Sequence, residues 1–94
     1  MIDYINSLEI EFKKKRNPII ASEQKAYMRN QFEFYGIKSS LRREIQKPFL
    51  AKKHLPKFEE LNSVVKLLWE KPQREYQLFA QELVHEYLNE LKKH

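Results

Sequence analysis

The sequence predicts an all-α fold, and three observations lead there. The 94 residues hold a single glycine and 33% charged residues, with many Leu, Glu, Lys and Gln, a composition that suits helices. Apolar residues recur at i, i+3 and i+4 rather than at alternate positions. Three of the four prolines, Pro18, Pro56 and Pro72, stand where a helix would begin, a position at which the missing N–H costs nothing.

The first helix is expected over residues 2–15, with Met1, Ile5, Leu8 and Phe12 as its buried stripe. Its last turn, Lys13-Lys14-Lys15-Arg16, complements the negative end of the helix dipole. Asn17 is a strong N-cap and Pro18 a favourable first residue for a second helix running to Phe34 or Tyr35. Gly36 then supplies the left-handed conformation that closes it, with Ile37 folded back on the last turn. A third helix follows Ser39 or Ser40 and carries Leu41, Ile45, Phe49 and Leu50 inward; Pro48 should kink it near Lys47. Leu55-Pro56 opens the fourth, with Glu59 and Glu60 in its first turn and Phe58, Leu61, Val65 and Leu68 on its apolar face. Lys71-Pro72 opens the fifth, where Tyr76, Phe79, Ala80, Leu83, Val84, Tyr87, Leu88 and Leu91 form an almost unbroken ladder.

Short loops between about five such helices favour antiparallel hairpins, the arrangement of an α-solenoid with HEAT-like or armadillo-like repeats. Residues 1–94 form one segment: a capping helix at 1–16, a first helical pair at 17–54 and a second at 55–94. The apolar face of the fifth helix is wider than one neighbour covers, so a second copy or further helices are expected to pack on residues 73–92.

Composition also excludes function classes. With no cysteine there are no disulfides or thiolate metal sites. No run of 18 apolar residues offers a membrane-spanning helix, and residues 1–20 lack the apolar core of a signal peptide. His54, His85 and His94 have no histidine partner at i+3 or i+4, so no metal or other cofactor is expected. One glycine cannot build a phosphate loop, and Glu59/Glu60 and Glu9/Glu11 fall on solvated helix surface. No catalytic residue is assigned.

Charge points elsewhere. The net charge is +5, divided as +7 over residues 1–57 and −2 over residues 58–94. A basic half suits a polyanion; a solvated surface with ordinary scatter is the alternative. The segment Tyr27–Arg43 holds Arg29, Lys38, Arg42 and Arg43 near a helix–helix junction, where free backbone N–H groups also suit phosphate. Cations in the first turn of a helix oppose its dipole, so Arg42 and Arg43 call for an anion. That anion is either a phosphate or an internal carboxylate such as Glu33. Phe32, Phe34 and Tyr35 are assigned to the core. Trp69 is expected to pack at the turn into Pro72 rather than to stack on a base.

These residues resemble the DNA alkylation repair family, the HEAT-like-repeat alkylpurine DNA glycosylases. The matching features are Asn17-Pro18, Tyr27-Met28-Arg29-Asn30-Gln31-Phe32, Phe34-Tyr35-Gly36-Ile37 and Leu41-Arg42-Arg43. Leu67 to Gln77, which includes Trp69-x-x-Pro72-x-Arg74-Glu75-Tyr76, then Phe79-Ala80 and Tyr87, complete them. The resemblance implies a solenoid whose basic hollow grips double-stranded DNA and excises alkylated, cationic purines. It implies DNA contact for Tyr27, Arg29, Lys38, Arg42 and Arg43, although one arginine of the pair can instead brace the repeat. The family's catalytic aspartate and tryptophans match nothing in residues 1–94. The chain is therefore expected to be the N-terminal, DNA-holding and non-catalytic part of such a glycosylase, in a bacterial cytoplasm. A small helical-repeat protein–protein adaptor is the alternative.

Overall fold

The computed structural model describes residues 2–92. Among them are five α-helices: α1 (Ile2–Lys14), α2 (Pro18–Tyr27), α3 (Ser39–Leu50), α4 (Leu61–Glu70) and α5 (Arg74–Lys92). Short 3₁₀ turns at Lys52–His54 and Phe58–Glu60 join α3 to α4, and no strand forms among the described residues. The helical-repeat class predicted from the sequence is the one observed.

The core forms where α5 meets α1 and α4. Ile5, Leu8 and Phe12 of α1 are buried, as their helical spacing requires; Met1 lies outside the described residues. Val64 and Leu68 of α4 meet the ladder of Tyr76, Phe79, Ala80 and Leu83 from α5. Each large side chain buried in this way contributes about 1.5–3 kcal/mol relative to exposure. The Tyr4 hydroxyl donates to the Phe49 carbonyl at 2.6 Å, fastening α1 to the end of α3. Lys71 bonds Glu9 at 3.0 Å and holds that carboxyl below the usual carboxylate range.

α3 packs on α1 and α5 rather than forming a hairpin with α2. It runs beside α5 in the same chain direction: Arg42 meets Glu82, and Lys52 meets Glu90. Pro48 sits in the last turn of α3, two residues before its end, so the helix stops soon after the missing hydrogen bond.

Three predicted boundaries differ from those observed. α2 ends at Tyr27, not at Phe34 or Tyr35. Arg29 and Asn30 take left-handed φ values of 55° and 62°. The Asn30 N–H bonds the Lys25 carbonyl and the Arg29 N–H that of Ala26, a Schellman closure that needs no glycine. The fourth helix begins at Leu61 and not at Pro56, which leaves Phe58 exposed against Tyr87. The fifth begins at Arg74 and not at Pro72, because its first turn is tied to other segments. The Arg74 N–H bonds the Glu33 carbonyl at 2.8 Å. The Gln77 amide bonds the Lys71 carbonyl at 2.8 Å and so caps the end of α4.

Gly36 is left-handed as expected, at φ +90°, but it caps no helix. It lies against the start of α2, where a Cβ would fall 2.0 Å from the Asn17 carbonyl oxygen and 2.7 Å from the Ala21 nitrogen. The segment around it is held by Glu75, whose buried carboxylate accepts the N–H groups of Tyr35, Gly36 and Ile37 at 3.0, 3.2 and 3.2 Å. Tyr35 adds a hydroxyl–hydroxyl bond to Tyr76 at 2.7 Å, with Phe12 packed on both rings.

Glu75→Gln turns an amide N–H₂ toward donors that need an acceptor. A loss of about 3 kcal/mol is expected, a melting temperature lower by roughly 15 °C, measured by thermal unfolding followed by circular dichroism.

Burial pushes the hydroxyls of Tyr4, Tyr35 and Tyr76 above the ordinary tyrosine range. A folded pKa above the unfolded value means that the unfolded state ionises first. This contribution to stability is therefore complete below about pH 10, the unfolded value, and is lost as pH rises further. Urea midpoints should fall above that pH, and Tyr76→Phe should flatten the fall.

Candidate nucleic-acid interface

Each cation singled out from the sequence has a distinct placement. Arg42 has only 5% of its side chain exposed. Its guanidinium donates to Glu82 at 2.8 Å and to the Gln46 oxygen at 2.9 Å, while the Gln46 amide also donates to Glu82. Arg42 thus braces α3 against α5. Its anion is Glu82, not Glu33, which pairs with Lys25 at 2.7 Å. Arg43 points outward, 68% exposed, with its Nε 3.7 Å from Glu82. The two arginines diverge because adjacent residues on a helix do not share a face.

Lys38 is exposed and stands at the N-cap of α3, with no side-chain bond to the first helical N–H groups. The first turn of a 12-residue helix is therefore open, with partial positive charge directed outward. Arg29 is exposed at the closure of α2, and Tyr27 at the end of that helix is 87% exposed. Tyr27 shares a groove of about 550 Å³ with Phe34, with Ser39 at the start of α3 and with Arg74 at the start of α5. The structure so brings Tyr27 and the open α3 terminus onto one groove, and sets Arg43 one turn further along α3.

Arg74 was not singled out as a site residue. Its guanidinium lies 4.5 Å from the Phe32 ring centre and 5.9 Å from that of Trp69. Trp69 is 49% exposed, so it is not the core residue expected at the turn into Pro72. Phe32 and Phe34 are half-buried, whereas Tyr35 is buried as expected. The available signal was the spacing Trp69-x-x-Pro72-x-Arg74, which brings ring and cation to the same turn.

This arrangement offers cations, an open helix terminus and aromatic faces. The Glu75 carboxylate is buried with both oxygens engaged by backbone. Among the described residues no three His, Cys, Asp or Glu side chains cluster to hold a metal ion.

Comparison with known proteins follows the same line. The model of the DNA alkylation repair enzyme family matches residues 8–94. Among solved structures, a predicted DNA alkylation repair enzyme from Enterococcus faecalis superposes with a TM-score of 0.72 at 32% identity, over 80% of this chain and 35% of that one. The chain therefore spans well under half of that relative's length. No curated protein matches it.

Arg42→Ala should cost about 1–3 kcal/mol, because it removes a buried charged donor and leaves Gln46 and Glu82 short of a partner. Arg43→Ala should stay within about 0.5 kcal/mol of the parent, as an exposed pair contributes little. Urea unfolding of both variants checks the contrast.

Proposed function

The chain belongs to the DNA alkylation repair enzyme family, and on that premise we propose that it is the DNA-holding, N-terminal portion of a glycosylase that releases alkylated, cationic purines. The observation that carries this reading is the open N-terminus of α3, with Lys38 exposed at its cap and Tyr27 in the adjoining groove. Backbone N–H groups, a flexible ammonium and an aromatic hydroxyl in one corner suit the phosphates of a duplex and read no sequence. Tyr27, Arg29, Lys38 and Arg43 form the proposed contact set, while Arg42 supports them from inside. Excision chemistry is assigned to no residue of this chain. No helix among the described residues is long and apolar enough to cross a membrane, and a cytoplasmic location accompanies this reading.

One observation favours a second reading. Leu88 and Leu91 of α5 are exposed, and Phe58 is exposed beside Tyr87. An adaptor that docks a partner, or further helices, on this apolar end would use those residues.

Salt dependence separates the two. Duplex affinity should fall linearly on a log–log plot against salt, and Lys38→Ala and Arg43→Ala should each shallow the slope by about 0.9. Unchanged slopes would remove both residues from the interface. Absence of duplex affinity at low salt, with salt-insensitive self-association, would favour the adaptor.

A further inference from the structure

We propose that the groove between α2 and the first turns of α3 and α5 holds one unpaired nucleotide, its base stacked on Tyr27 and its phosphate on Arg74. The proposal rests on the DNA reading above for the source of that nucleotide, and goes beyond it in naming a base site.

Four observations meet here. The groove, at about 550 Å³, falls in the size range of small-ligand sites. Its walls are flat and apolar: Tyr27, Met28 and Phe34. Among the described residues little covers Tyr27, which is 87% exposed, although a large aromatic left in water at a helix end forfeits its burial.

The polar groups are placed asymmetrically. Gln24, on the α2 wall, has its Oε1 buried without a hydrogen-bond partner. An acceptor shut off from water calls for a donor. Glu23 lines the same wall and is also an acceptor. The opposite wall carries Arg74, the one cation among the described residues that line the groove. Its backbone is tied to Glu33 and its guanidinium is flanked by Phe32 and Trp69, so the charge is held in place before any ligand arrives. Acceptors on one side and a fixed cation on the other complement a nucleotide. The amino group of a base faces Gln24 and Glu23, and its phosphate faces Arg74, away from those acceptors.

The aromatic faces also decide between paired and unpaired bases. A base inside a duplex has both faces covered by its neighbours and presents only its edge. Tyr27 in the groove and Trp69 beside Arg74 offer exposed ring surface, which an unstacked base can use. Interleaved aromatics and cations are the usual platform for unpaired strands.

The test is a ¹⁵N-HSQC titration with adenosine 5′-monophosphate, with inorganic phosphate in parallel. Adenosine monophosphate should shift the amides of Gln24 and Tyr27 and the Arg74 Nε–H, and should quench Trp69 fluorescence. Phosphate alone should leave Gln24 and Tyr27 in place. Tyr27→Ala, whose exposed side chain makes it safe for folding, should weaken the nucleotide by roughly fivefold or more. Gln24→Leu should weaken it as well. Equal shifts with phosphate alone, or unchanged affinity in Tyr27→Ala, would overturn the site. If that happens while duplex affinity stays salt-dependent, the DNA reading stands without the base site. Nucleotide binding without salt-dependent duplex affinity would keep the site and overturn the DNA reading.

Discussion

The carboxylate of Glu75, buried on the first turn of α5, fixes the course of the chain through Tyr35, Gly36 and Ile37. Three N–H groups from successive residues converge on its two oxygens. A buried charge is costly unless it is hydrogen-bonded in this way, and three buried N–H groups are costly unless accepted. Each side therefore requires the other. The bonds close a separation of about 40 residues and bring a loop with little regular structure against the N-terminus of a long helix. With that loop in place, Gly36 lies against α2, Tyr35 reaches Tyr76, and α3 begins where its open terminus shares the Tyr27 groove.

The two stretches that look like separate signatures in the sequence are halves of one clamp. Phe34-Tyr35-Gly36-Ile37 supplies the donors and the close-packed glycine. Trp69-x-x-Pro72-x-Arg74-Glu75-Tyr76 supplies the acceptor, the hydroxyl partner and the stacked cation. Helix class and the buried faces of α1 and α5 were legible, because a 3.6-residue period records burial directly. The role of Glu75 was not: a carboxylate in a first helical turn has a sufficient local explanation in the dipole. Only the loop that donates to it, distant in sequence, makes it a core residue. Gly36 shows the same limit. Its left-handed backbone was legible, but the reason, contact with Asn17 and Ala21, is tertiary.

The candidate interface divides along similar lines. The concentration of cations around α3 was visible as composition, and the alternative of an internal anion was visible as electrostatics. Which carboxylate serves was not, since Glu82 lies on the neighbouring helix and is selected by the parallel course of α3 and α5. Burial then separates two adjacent arginines into a brace and an exposed cation. Trp69 misled for a related reason. Size favours burial, but α4 leaves that face open and Arg74 provides a neighbour at the surface.

Native-state hydrogen exchange tests the central claim most directly. If Glu75 holds the loop, the amides of Tyr35, Gly36 and Ile37 should exchange only through global unfolding, as slowly as that of Leu83 in the middle of α5. Exchange of those three amides at the rate of the Arg29–Gln31 turn, with Leu83 still protected, would contradict it.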